Sequence, residues 1–205
     1  MYIPSYFAET DVAKLHATIE QYSFATLVSQ YDGEPFASHL PLLIDRDSGP
    51  AGTLLGHMAR ANPQWESAAG QNVLAIFSGP HAYISPQWYE AESVVPTWNY
   101  VAVHAYGRLE LIEDPTEVER LLERMIALYE TPQPRPWRLA EPPAFMEKML
   151  RQIVAFRIPI AKLEGKWKLN QNRPAEQQQR VIAALAERAA DNSRQIAELM
   201  QERTS

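Results

Sequence analysis

The chain has 205 residues, 46% of them apolar, which is enough for one well-packed domain with some elaboration. Its formal charge of −6 argues against a broad basic face for duplex phosphates, and the lack of cysteine excludes disulfide frameworks, thiolate metal sites and cysteine nucleophiles. The opening MYIPSYFAETD has neither the basic nor the apolar stretch of a secretion signal, and no window nears the roughly 18 apolar residues of a spanning helix, so a soluble cytoplasmic protein is expected.

Thr10 stands where it can cap a helix over about residues 11–22, with Val12, Leu15 and Ile19 at helical spacing. FATLVSQ and EPFASHLPLLID then flank Tyr31, Asp32 and Gly33, and an Asp-Gly between two β-like runs predicts a hairpin. DRDSGPAG breaks the chain, after which TLLGHM predicts a third strand and NPQWESAAG a short helix. NVLAIFS is a continuous apolar run of strand length, of the kind expected when both faces are covered. HAYI predicts a fifth strand, SPQWYEAES a loop or single helical turn, and WNYVAVHAYGRLELI a long sixth strand.

From Asp114 the pattern turns helical, with Pro115 near the first turn and Val118, Leu121, Leu122, Met125 and Leu128 on one stripe. TPQPRPWRLAEPP holds five of the chain's 16 prolines and predicts an extended connector. A short helix follows, IVAFRIPIAKLEGKWKL alternates as a strand, and from about Pro174 the chain is helical with a break at Asp191 and Asn192. The strands cluster instead of alternating with helices, which favours a small antiparallel barrel over a parallel α/β fold. The expected organisation is a single domain over 1–205, mainly β with flanking helices. It carries helical insertions at about 114–150 and a C-terminal helical segment at about 174–203.

No GxGxxG, GxxxxGK[ST], HExxH or GxSxG motif occurs. The segment GHMARANPQW, residues 56–65, joins a strand end to Arg60, whose guanidinium suits a phosphate fork, and to Asn62-Pro63, which reads as a helix start. A helix start adds unpaired N–H groups and a positive dipole end for the same phosphate. The plainer alternative is that Asn62 only caps and Arg60 is solvated.

In KWKLNQNR, residues 166–173, two lysines alternate with Trp167 and Leu169, and Asn170, Gln171 and Asn172 present three amides that both donate and accept. Such a set suits a polar ring with mixed carbonyl and N–H edges; the alternative is a loop in which Asn172 caps the next helix. The five histidines, 16, 39, 57, 81 and 104, show no zincin spacing, so no metal site is expected. His104 alternates with Tyr106 and reads as a satisfied barrel residue, whereas His39 in SHLPL can face either a ligand or solvent. Trp98 and Tyr83 can stack on a planar ring or fill the core.

Six segments in order, MYIPSYF with SHLPLLID, LGHMARANPQW, AIFSGPHAYISPQWY, VPTWNYVAVHAYG and GKWKLNQNR, resemble the PaiB-type FMN-binding negative transcriptional regulators. These belong to the flavin-binding split barrels related to pyridoxamine-phosphate oxidases. The resemblance spans nearly the whole chain. It implies a six-stranded antiparallel FMN-binding split barrel, and a homodimer with FMN at the subunit interface. Carried over segment by segment, Arg60 and Asn62, with His57 and Met58 beside them, resemble phosphate and ribityl contacts. Ser38 and His39 resemble contacts along the flavin, and Ser78 an approach to the same pocket. Trp98 and Asn99 resemble contacts from the partner chain, and Lys168, Asn170, Gln171 and Asn172 the polar closure near the isoalloxazine. Asn170 departs from the family pattern, where serine is expected.

The resemblance implies an FMN-binding regulator, although the chain carries neither a helix-turn-helix signature nor a basic helix. An alternative is a flavin-dependent oxidoreductase acting on a small molecule with NAD(P)H. A further one is a haem-handling role, since related split barrels bind haem, with His39 or His104 as ligand. No residue stands out as a general acid or base.

Overall fold

The computed structural model describes residues 1–137 and 143–204. A 3-10 turn at Ser5–Phe7 leads into a two-residue strand β1 (Ala8–Glu9) and helix α1 (Val12–Gln21). Asp11 takes the capping role expected of Thr10: its Oδ1 accepts the Ala13 N–H at 2.9 Å, meeting one of the orphan donors of the first turn.

Strands β2 (Phe24–Tyr31) and β3 (Glu34–Pro41) form the expected hairpin. Asp32 and Gly33 have φ of 49° and 79°, the two left-handed residues such a turn requires, and Tyr31 pairs directly with Glu34. The run expected to continue to Asp45 breaks at Leu42, whose N–H bonds Ser23 O at 2.9 Å, and resumes as β4 (Leu43–Asp45). Next come β5 (Thr53–Ala59) and the short helix α2 (Gln64–Ala68).

NVLAIFS and HAYI join into one strand, β6 (Asn72–Ile84). Gly79 lies inside it because a Cβ there would meet the Val101 side chain at 3.0 Å and its carbonyl at 3.2 Å, so the glycine allows close strand approach. After a 3-10 turn at Pro86–Tyr89 comes β7 (Thr97–Arg108). The long strand expected there breaks at Leu109, which bonds Gln71 O and Gly70 N–H at 3.0 and 2.8 Å, and resumes as β8 (Glu110–Ile112).

Asp114 Oδ1 caps α3 (Pro115–Glu130) by accepting the Thr116 N–H at 3.0 Å. The proline-rich connector includes residues 138–142, which lie outside the described residues. Beyond it are α4 (Pro143–Leu150), β9 (Ile153–Lys168), α5 (Ala175–Ala186) and α6 (Asp191–Thr204); the helical segment does divide in two, but at residues 187–190, and Asp191 and Asn192, expected to break it, open α6 instead.

The result is the mainly β, antiparallel sheet with flanking helices that the sequence predicts, but with nine strands among the described residues where six were expected. The runs 34–45 and 97–112 each break once, and Ala8–Glu9 adds a short edge piece. The ladder runs β3-β2-β6-β7-β9-β5-β4, with β1 and β8 also pairing with β9, so the path is open and β3 stands at one end.

The chain divides into two compact units, and β6, β7 and β9 each continue from one into the other. The first unit comprises Met1–Thr18, Ser78–His104 and Glu164–Ser205. Within it β1 pairs with β9 at Ala8↔Lys166, and α5 packs on α6 with Val181, Leu185, Ile196 and Met200 buried. The second unit comprises Ile19–Phe77 and Ala105–Leu163. There β5 pairs with β9 from Thr53↔Pro159 to Ala59↔Ile153, while Leu121 and Met125 of α3 pack on Leu43 and Ala155. Of the expected α3 stripe, Leu121 and Met125 are buried whereas Leu128 is exposed. Each fully buried aliphatic side chain contributes roughly 1.5–3 kcal/mol against exposure, and these interiors hold the loops described next. Among the described residues no helix is long and apolar enough to cross a membrane.

Candidate functional site

In the second unit the chain leaves β5 at Ala59 and turns through residues 60–63 into α2. Arg60 is fixed there, although its side chain is exposed. Its N–H bonds Gln152 O at 2.8 Å, and its Nε and Nη2 donate to Arg151 O at 2.9 Å and Ile153 O at 2.8 Å. These contacts leave Nη1 for a further acceptor. Trp65 Nε1 donates to Arg60 O at 2.9 Å, and the guanidinium lies 5.9 Å from the centre of the indole ring.

Asn62 faces a different neighbour. Its Oδ1 accepts the Gln64 N–H at 3.0 Å, as a cap should, and its Nδ2 donates to Ser38 Oγ on β3 at 2.8 Å. Arg60 and Asn62 therefore belong to one turn but point to different partners. Gln64, absent from the sequence-based set, anchors the corner: it is fully buried, and its Nε2 donates to Leu27 O at 3.1 Å and Ser29 Oγ at 3.0 Å.

His39 is exposed on β3, with Nδ1 at 3.1 Å from Thr26 Oγ1 and its ring stacked 6.3 Å from Phe24. On β5, His57 and Met58 alternate to opposite faces. Met58 is buried in the core. The His57 Nδ1 is buried without a partner, and burial holds this imidazole below its ordinary pKa of 6.5.

In the first unit Ser78 is exposed on β6. Trp98, half exposed, lies 6.2 Å from the His81 ring and 5.9 Å from the Tyr83 ring, centre to centre. Lys168 Nζ donates to Thr97 Oγ1 and, at 2.6 Å, to Trp98 O. Burial, with Lys166 beside it, holds the Lys168 ammonium below the usual lysine pKa. Asn99 is fully buried, with Nδ2 at 3.3 Å from Met200 Sδ and Oδ1 unpaired.

Asn170 has φ 63° and a buried side chain whose Nδ2 has no partner among the described residues. The left-handed backbone explains the residue, since asparagine tolerates it better than the serine of the family pattern. Gln171 turns inward on its own loop, accepting from Leu169 N–H at 2.7 Å and donating to Trp167 O at 2.5 Å, while Asn172 is exposed. Tyr89, also missed from sequence, is fully buried with an unpaired hydroxyl. Burial raises its pKa, which neighbouring Asn170 and Arg173 oppose without either completing a hydrogen bond to the phenol. Among the described residues no group of three histidine, aspartate or glutamate side chains is arranged to hold a metal.

Residues 1–162 match the family model described as "Putative FMN-binding domain". The chain belongs to this family. It is 38% identical over 206 residues to "Protease synthase and sporulation protein PAI 2" of Bacillus subtilis (strain 168), across 99% of this chain and 98% of that protein. This bears out the PaiB-type resemblance.

The fold is similar to the flavocytochrome Anf3 from Azotobacter vinelandii, with TM-score 0.63 and 17% identity over 81% of this chain and 72% of that one. It is also similar to the FAD and heme binding protein from Mycobacterium smegmatis, with TM-score 0.59 and 18% identity over 86% and 79% of the two chains. At these identities the likeness concerns the fold. The family model ends at residue 162, so the Lys168–Asn172 loop lies beyond it but within the stretch shared with the Bacillus protein.

The residues present fit a flavin mononucleotide in kind. A phosphate calls for a cation such as Arg60, ribityl hydroxyls for groups such as Ser38 and Asn62, and a pyrimidine edge for amides. The buried, unpaired Nδ2 of Asn170 is the observation most in need of a partner.

Proposed function

We propose that the chain binds FMN and acts as a PaiB-type negative transcriptional regulator. Membership of an FMN-binding family combined with the unpaired Asn170 Nδ2 carries the flavin part of this reading. Arg60 takes the phosphate through Nη1, with Asn62 and His57 beside it and Met58 supporting the strand from the core. Ser38 and His39 follow the length of the cofactor, and Ser78 approaches it. Lys168, Asn170, Gln171 and Asn172 close the isoalloxazine end, while Trp98 comes from a second copy of the chain in a homodimer, with Asn99, buried against Met200, fixing the strand behind it.

Bound FMN supplies one- and two-electron redox chemistry. The protein's part is to hold and orient it. Lys168, with its charge disfavoured by burial and anchored on Trp98 O, offers a fixed donor that gains from an electron-rich partner. The homodimer is supported by the outer face of β2 and β3, where Phe24 is 68% exposed and stacks on His39.

A regulator of this charge would meet its operator locally, since a chain of −6 repels a long run of phosphates. That same charge weighs against DNA contact and so leaves a second reading that needs none, a flavin-dependent oxidoreductase reduced by NAD(P)H. The test is to mix the FMN-loaded protein with NAD(P)H and an acceptor, and separately with its upstream DNA. Inert flavin with salt-sensitive operator binding supports the regulator, whereas turnover without DNA binding supports the oxidoreductase.

A further inference from the structure

Arg60 faces a groove of about 480 Å³ inside the second unit, framed by Trp65, by Arg151 at the turn from α4 into β9, and by Leu111, Glu113 and Val118 where β8 leads into α3. Small-molecule sites span roughly 300–1,000 Å³, so the space is of ligand size. The groove carries a specific mixture of chemistry. Two guanidiniums offer planar forks suited to phosphate. That of Arg60 is already set by two carbonyls, and that of Arg151 is held, among the described residues, by an exposed pair with Glu147 at 3.0 Å, which a phosphate can displace.

Trp65 is fixed through its Nε1, so its indole is a rigid surface for a planar ring, with Leu111 and Val118 as further apolar wall. Glu113 is the sole carboxylate among the described lining residues, and it accepts hydrogen bonds from hydroxyls or an amine. An apolar ligand would leave both arginines unanswered. A simple carboxylic acid would answer the arginines but oppose Glu113. A phosphate, a sugar diol and a planar base together answer all three kinds of group.

We propose that this groove binds a purine nucleoside 5′-phosphate, with the phosphate on Arg60 and Arg151, the base against Trp65, Leu111 and Val118, and Glu113 on the ribose hydroxyls or the base amine. The same chemistry has two sources. Because the flavin reading gives the FMN phosphate to Arg60, a nucleotide joined to that phosphate is the AMP half of FAD, and this arm rests on that reading. An unjoined nucleotide is a separate ligand that shares Arg60 with FMN and is held chiefly by Arg151.

The test is calorimetric titration of the full chain with AMP, with adenosine as the phosphate-free control. AMP should bind at one site and adenosine about tenfold more weakly, the scale of a charge-assisted contact. Arg151→Met should weaken AMP about tenfold without altering FMN uptake, because Arg60 uses the Arg151 carbonyl and not its side chain. Glu113→Gln should weaken AMP and adenosine alike. Both positions are exposed, so the fold is spared.

If FAD binds more tightly than FMN and Arg151→Met erases the gain, the groove holds the second half of FAD. If AMP binds and FAD shows no gain, the ligand is a free nucleotide. Absence of both AMP binding and an FAD gain overturns the proposal, as does AMP binding that neither substitution changes. FMN uptake is followed in the same preparation. AMP binding without FMN uptake breaks the flavin reading alone, and FMN uptake with neither AMP binding nor an FAD gain breaks this one alone.

Discussion

The corner built by Ser38, Asn62 and Gln64 and the loop of Lys168 to Asn172 are both polar, but they treat their polar groups in opposite ways. In the corner, Asn62 uses both ends of its amide, and the Gln64 amine reaches Leu27 O and Ser29 Oγ, leaving only the Gln64 Oε1 among these side-chain atoms buried and unpaired. The loop region leaves Asn170 Nδ2, Asn99 Oδ1 and the Tyr89 hydroxyl buried without partners. Each such group costs about 1–3 kcal/mol, a cost that a ligand or ordered water can relieve. The corner therefore serves stability first, and the loop region holds unmet hydrogen-bonding capacity that binding can use.

The largest effect that would sharpen this contrast is on folding. Gln64→Leu leaves Leu27 O and Ser29 Oγ without their donor and should cost about 2–3 kcal/mol in urea unfolding. A loss no larger than that of an average surface change would show that the corner is not a structural frame. Next in size is Arg60→Ala, which should weaken FMN about tenfold more than riboflavin, since only FMN carries the phosphate. Equal losses would remove Arg60 from the phosphate role.

Asn170→Ser should move stability by less than about 1 kcal/mol, because it deletes an unpaired donor while keeping a small polar residue at φ 63°. It should still lower flavin affinity several-fold. If folding suffers and binding does not, the loop resembles the corner after all.

The smallest effect is on pH. Burial depresses the His57 pKa below 6.5, so the unfolded chain binds a proton more readily than the folded one as pH falls. His57 thus contributes stability that is full above pH 6.5 and is lost as pH drops through the lower folded value. His104, also depressed, first by burial, acts with the same sign. Urea midpoints between pH 7.5 and 5 should fall in the wild type and fall less in His57→Gln. An unchanged slope would assign the acid sensitivity elsewhere.

Local signals in the sequence proved dependable where the cause was local. Asp32-Gly33 sets its own turn, Asp114 and Pro115 start α3, and Asp191 marks a helix boundary, although as the first residue of α6 and not as the break itself. The interruptions at Leu42 and Leu109 were not legible, because each is made by backbone partners distant in sequence, Ser23 in one case and Gly70 with Gln71 in the other. NVLAIFS and HAYI read as two strands, yet Gly79, which allows close approach to Val101, lies inside one continuous strand.

Within the candidate site, the segments around Arg60 and Asn170 stood out by residue type. Gln64 did not, because glutamine is ordinarily a surface residue and its burial depends on Leu27 and Ser29 of β2. The orientation of Arg60 toward β9 was equally hidden, since its carbonyl partners stand 91 and 93 residues away.

The central claim is that this chain is an FMN protein, and the most direct measurement is titration of purified, flavin-stripped protein with FMN, followed by quenching of flavin fluorescence. The account predicts saturation at one FMN per chain, with weaker binding of riboflavin and a reduced FMN preference in Arg60→Ala. Protein that unfolds cooperatively, and is therefore folded, yet leaves FMN fluorescence unchanged across the titration would contradict it.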